Sequence, residues 1–123
     1  MIQLDTSFLI RALVGDAVEA QTLRQWLRRR EVLTISALAW TEFVCGPVTP
    51  PVVDAARRLL GEPLPFTAPE ADRAALLFNE TGRRRGTLVD CMIAATAIEA
   101  GDRLATANAE DFARFSRLGL ELA

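Results

Sequence analysis

The chain has 123 residues, half of them hydrophobic and 24% charged, with a formal net charge of −2. That length holds one domain with one well-formed core, and that composition excludes a disordered chain. All 14 basic residues are arginine, and histidine is absent, which excludes Ser-His-Asp and Cys-His catalysis, His-based metal sites, a Walker P-loop and a lysine Schiff base.

No apolar run approaches the roughly 20 residues that span a bilayer. The opening Met1-Ile2-Gln3-Leu4-Asp5 carries an acid where a secretory leader has its basic region, so a cytoplasmic location is expected. Cys45 and Cys91 are far apart in sequence and form neither a disulfide framework nor a zinc motif; both are expected to be buried spectators.

In chain order, residues 2–5 read as a first strand ending at Asp5, and Thr6 to Ala12 as a short helix closed near Gly15. Asp16 is then expected to cap a helix to about Arg30, with Glu19 in the capping-box position and Ala20, Leu23 and Leu27 on its apolar face. Val32 to Ile35 reads as a second strand, and Ser36 as the cap of a helix that runs to Cys45 and stops at Gly46-Pro47. Thr49 and Pro50 open a helix over 50–60, ended by Gly61. Leu64 to Phe66 is either a short edge strand or a loop. Thr67 and Glu70 mark another capping box, for a helix ending near Gly82. Arg83-Arg84-Arg85-Gly86 is a basic loop, followed by a helix from Leu88 to Ala100 that Gly101 terminates. Arg103 to Thr106 reads as a strand, Asp111 to Phe115 as a helical turn, and Leu120 to Leu122 as a last strand. Alternating strands and helices predict an α/β fold with a mainly parallel sheet, helices on both faces, and a site at the carboxyl ends of the strands.

Three acids stand alone inside strongly apolar segments: Asp5 in Ile2–Ile10, Glu42 in Leu38–Val44 and Asp90 in Leu88–Ala95. An ionised carboxylate leaves water only at high cost unless it is paired, hydrogen-bonded or bound to a cation. No arginine adjoins any of the three in sequence, so a shared divalent ion is the expected explanation. Carboxylate oxygens favour Mg²⁺ or Mn²⁺ over zinc or copper. Taken singly, each acid also has a plainer reading. Asp5 suits a turn after a strand, Asp90 and Asp111 suit first-turn positions of helices, and Glu42 suits a solvated helix face.

Four segments in order resemble the motifs of PIN-domain ribonucleases. They are Asp5-Thr6-Ser7-Phe8-Leu9-Ile10, Glu42-Phe43-Val44-Cys45-Gly46, Asp90-Cys91-Met92-Ile93-Ala94-Ala95-Thr96-Ala97, and the Thr-x-Asn-x-x-Asp-Phe run of Thr106, Asn108, Asp111 and Phe112. The resemblance covers essentially the whole chain and implies a PIN-like three-layer α/β/α sandwich. It also implies an Mg²⁺- or Mn²⁺-dependent endoribonuclease of the VapC kind, held inactive by a cognate antitoxin and working as a homodimer on RNA.

On this resemblance Asp5, Glu42, Asp90 and Asp111 are the catalytic acids, with Asp5, Asp90 and Asp111 as metal ligands. Ser7, Thr106 and Asn108 would orient them. Arg83, Arg84 and Arg85 would contact RNA phosphates, since the net acidic chain lacks a general basic footprint. An apolar groove walled by the helices at 16–30 and 50–60, with Trp26 or Trp40 as anchor, would receive the antitoxin. Two rivals remain. One is a non-catalytic module that keeps the fold. The other is an Mg²⁺-dependent aspartate-nucleophile phosphatase, which would want a second aspartate where Ser7 stands and a lysine that the chain lacks.

Overall fold

The computed structural model of the chain describes residues 1–13 and 16–123. Four parallel strands form one sheet: β1 (Ile2–Leu4), β2 (Leu33–Thr34), β3 (Arg103–Ala105) and β4 (Glu121–Leu122), in the order β2-β1-β3-β4. The helices around it are α1 (Thr6–Ala12), α2 (Val18–Arg28), α3 (Ala37–Cys45), α4 (Pro50–Leu60), α5 (Ala68–Glu80), α6 (Leu88–Ala100) and α7 (Ala109–Phe112). A 3-10 helix over Ala113–Leu118 leads into β4. Expectation and structure agree on an α/β fold, and the sheet is wholly parallel rather than mainly so.

A short central strand buried on both faces carries no polar-apolar alternation, and β1 is buried at every position. The fully buried side chains around it include Leu9, Ile35, Phe43, Leu77, Leu104 and Phe115. Small residues let α6 sit deep in this core: Ala94, Ala95 and Ala97 are all inaccessible to solvent. Gly101 closes α6 in the left-handed conformation at φ +71°, which a side chain would strain.

Several boundaries move. The strands are one or two residues shorter than their apolar runs. Helix α2 starts at Val18 behind Ala17, which makes no side-chain cap, so Asp16 does not cap it. Glu19, freed from any box, pairs instead with Arg11 at 2.7 Å. The expected helix closure at Gly15 lies outside the described residues. Ser36 does cap α3, its hydroxyl accepting from Ala39 N at 3.1 Å. Thr67 bonds the Glu70 side chain at 2.6 Å but no backbone amide, so the two residues pair with each other in place of the expected box. Leu64 resolves the choice between strand and loop. It makes a single parallel bridge to Ser36, held by Leu64 N to Ile35 O and Ala37 N to Leu64 O, both 2.8 Å. The expected turn at 111–115 is α7 plus the 3-10 helix.

Cys91 is buried as expected, and burial pushes its thiol above the usual value, which keeps it protonated and inert. Cys45 is exposed, because it falls on the outer face of the last turn of α3.

One buried polar pair escaped the sequence reading. Gln3, 1% exposed in the middle of β1, donates to Asp102 Oδ2 at 2.9 Å, and the Met1 amino group stands 3.4 Å from Asp102 Oδ1. Asp102 therefore ties the turn before β3 to the start of β1. Replacing it by Ala leaves Gln3 Nε2 with only the 3.3 Å bond to Thr96 O, one N–H unpaired in the core, and should cost about 1–3 kcal/mol, read as a lower urea midpoint at unchanged slope. An unchanged midpoint would mean that the pair carries no stability.

Candidate active site

The sheet order makes β1 the point where the chain reverses direction across the sheet, since β2 lies on one side of it and β3 on the other. A crevice opens at the carboxyl ends of strands at such a switch. Asp5 follows the last residue of β1 and stands there, 4% exposed.

Its surroundings follow from strand register. Leu4 pairs with Ala105, so the next residues, Asp5 and Thr106, lie side by side, and Asp5 N donates to Ala105 O at 2.9 Å. Thr106 Oγ1 donates to Asp5 Oδ2 at 2.6 Å and accepts from Asn108 N at 2.9 Å. Ser7 Oγ repeats the pattern, donating to Asp5 Oδ1 at 2.7 Å and accepting from Ala107 N at 3.0 Å. Phe8 N also donates to Oδ1, at 2.9 Å, so Asp5 is the N-cap of α1 as well. Three donors fix this carboxylate, and each hydroxyl is itself oriented by a backbone amide.

The other acids arrive on separate elements. Glu42 comes from the second turn of α3, Asp90 from the first turn of α6 and Asp111 from α7. All four line one cleft of about 280 Å³ together with Thr6, Ser7, Asn108, Ile10, Ile93 and Phe112. Thr6, which sequence reasoning passed over, has one hydroxyl proton within reach of two acceptors, Ala39 O at 3.0 Å and Glu42 Oε1 at 3.1 Å. It thereby links α1 to the glutamate. Its place in the Asp5-Thr6-Ser7 run was the available signal.

The cleft opposes ionisation of Asp90. Burial raises its carboxyl above the usual 3.8, Arg114 opposes that shift, and Asp111, Glu42 and Asp5 add to it by repulsion. Arg114 Nη2 lies 3.8 Å from Asp90 Oδ2. Nothing in the motif spacing pointed to this arginine. Among the described residues, no three acidic or sulfur side chains form a group that would hold a metal ion in their present rotamers. The four carboxylates are nonetheless the oxygen donors this cleft offers a cation.

The basic loop does not join them. Arg83, Arg84 and Arg85 are exposed and none lines the cleft. Arg83 is held by the Asn79 side chain and stacks on Phe78, its guanidinium carbon 5.4 Å from the ring centroid. The two tryptophans are engaged inside the fold. Trp26 stacks on Phe8 at 5.3 Å, and Trp40 lies 5.7 Å from Phe43 and under Arg57 at 4.9 Å.

The raised Asp90 carboxyl fixes a sign. An acid whose folded-state value exceeds its unfolded one stabilises the fold while protonated, below about 3.8, and loses that contribution as pH rises through the folded value. Asp90→Asn removes the ionisation cost. In chelator the variant should be more stable than the parent chain at pH 7, with the gap closing as pH falls towards 4. Equal unfolding midpoints across that range would contradict the repulsive cleft.

A family model described as PIN domain matches residues 2–118. No curated protein matches the sequence significantly. Among solved structures, the chain resembles VapBC2 from Rickettsia felis bound to a promoter DNA fragment, with 22% identity, a TM-score of 0.77 and coverage of 100% of this chain and 98% of that one. A toxin–antitoxin complex from Klebsiella pneumoniae gives 27% identity and 0.73 over 92% and 91%. VapC20 of Mycobacterium tuberculosis, described as a Sarcin-Ricin loop cleaving toxin, gives 21% and 0.68 over 100% and 98%. With its motifs gathered on one crevice and a family match spanning nearly every element, this chain belongs to the PIN domain family.

Proposed function

We propose that the chain is an Mg²⁺- or Mn²⁺-dependent endoribonuclease and the toxin of a toxin–antitoxin pair. The observation that carries this reading is the convergence of Asp5, Glu42, Asp90 and Asp111 on one cleft. Membership of the PIN domain family and the likeness to VapBC complexes support it. So does the donor chemistry. Four carboxylates, with no histidine in the chain and no cysteine lining the cleft, suit a hard divalent cation, whose charge would offset the burial and repulsion that raise Asp90.

Asp5, Asp90 and Asp111 would hold the cation, Asp5 through the lone pairs that its three donors leave free. When bound, such a cation neutralises phosphodiester charge and supplies a nucleophile near neutral pH. Glu42, turned by Thr6, is the carboxylate left to accept a proton from the attacking water and orient it. Ser7 and Thr106 set the plane of the Asp5 carboxylate. Exposed Arg84 and Arg85 are free to meet phosphates of a long RNA outside the cleft, whereas Arg83 must first leave Asn79. The alternative reading is a non-catalytic module of the same fold.

A second cleft, of about 240 Å³, supports an antitoxin partner. Ile10 and Leu13 of the α1 end, Phe43 of α3 and Val48 and Val52 around the start of α4 line it, and Ile10 also lines the acidic cleft. A segment seated there would therefore adjoin the acids. The expected wall at 50–60 takes part through α4, whereas α2 contributes no lining residue. Homodimerisation finds support in Leu76, Leu88 and Val89, apolar side chains left 40–47% exposed on α5 and α6. No described helix is long and apolar enough to cross a membrane.

The purified chain should cut members of a panel of structured RNAs with Mg²⁺ or Mn²⁺ and not with chelator. Asp5→Asn and Asp90→Asn should abolish cutting while both remain folded. A folded, metal-binding parent chain that cuts nothing would favour the module. Thr106→Val removes a donor to Asp5 and should cost about 10–100-fold in metal affinity or rate. Leu13→Arg should release a co-purifying antitoxin without lowering cleavage by the free chain; retained binding would locate the partner elsewhere.

A further inference from the structure

The acidic cleft has a cationic neighbour that the motifs do not account for. Arg114 lies on the 3-10 helix, three residues beyond Asp111, with its side chain 19% exposed. Its Nε and Nη2 are buried and have no hydrogen-bond partner among the described residues. Phe115 fixes the guanidinium from one side, ring centroid 4.5 Å from its carbon. Asp90 Oδ2 stands 3.8 Å from Nη2, too far for a hydrogen bond and well within Coulomb reach.

Two unpartnered guanidinium nitrogens on a buried cation are costly unless the charge is answered nearby. Asp90 answers it directly, and Asp5, Glu42 and Asp111 line the same cleft. A grip on substrate phosphate is disfavoured by the same burial, which shuts Nε and Nη2 away from solvent. Packing on Phe115 accounts for the stacked guanidinium but not for its placement beside an acid.

We infer that Arg114 is a positioning residue, the built-in counter-charge that braces Asp90 while the cleft holds no divalent cation and cedes it when one binds. The second half of this rests on the metal-dependent reading above; the brace does not.

A double-mutant cycle in chelator tests the brace. Arg114→Met should lower Tm by about 4 °C or more, and by less than half as much in the Asp90→Asn background. Equal losses in both backgrounds would reduce Arg114 to packing and overturn the inference. Arg114→Lys, which keeps the charge, should recover most of the loss; no recovery would count against a charge role. Titration with Mn²⁺ tests the release. The metal-induced rise in Tm should be larger for Arg114→Met than for the parent chain or Arg114→Lys. Equal rises would overturn the release. No rise in any of them would overturn both the release and the metal-dependent reading, leaving the cycle alone to judge the brace.

Discussion

The parallel register between β1 and β3 is the constraint on which the site depends. Because Leu4 faces Ala105, Asp5 and Thr106 leave the sheet side by side, 101 residues apart in sequence. A one-residue slip would turn alternate side chains to the opposite face. Thr106 would then no longer meet Asp5, and Ala107 would no longer reach Ser7. The burial of Ile2, Leu4 and Leu104 at full depth resists such a slip.

Asp5 does two jobs with one carboxylate. It caps α1, which sets the direction in which the chain leaves the sheet, and it forms the floor of the acidic cleft. Its three donors hold it in one orientation, whereas Asp90 has a single distant cation and a half-exposed position. The two aspartates therefore differ in kind. One is locked by hydrogen bonds, the other is balanced between burial, three neighbouring acids and Arg114. An arrangement of this sort keeps one carboxylate rigid and leaves another free to adjust.

Net charge says little about a chain built this way. The overall −2 combines an acidic cleft with basic residues displayed elsewhere. Arg84 and Arg85 lie in an exposed loop between α5 and α6, on the approach to the helix that carries Asp90. Local sign, more than total charge, governs how a polyanion meets such a surface.

Much of the architecture was legible because local chemistry specified it. Ser36 before an apolar run, Pro50 at a helix start, and Gly101 after an alanine-rich helix each mark a boundary through backbone geometry alone, and α6 spans Leu88 to Ala100 as expected. Asp5, Glu42 and Asp90 stood out because isolated charges in apolar segments conflict with burial, and Asp111 through the motif it shares with Thr106 and Asn108. Other features were settled only by tertiary contacts. Asp16 lost its capping role, and Glu19 found Arg11 eight residues away. Gln3 met Asp102 across the sheet, Thr6 met Glu42, and Arg114 met Asp90, pairings that depend on register and helix packing rather than on sequence spacing. The sequence by itself determined which residues resist burial and where most helices begin and end, since both follow from a residue's own side chain and its nearest neighbours. Which of those residues share one cleft, and which cation stands behind it, only the tertiary structure decided, because long-range proximity is a property of the packed sheet and not of any segment.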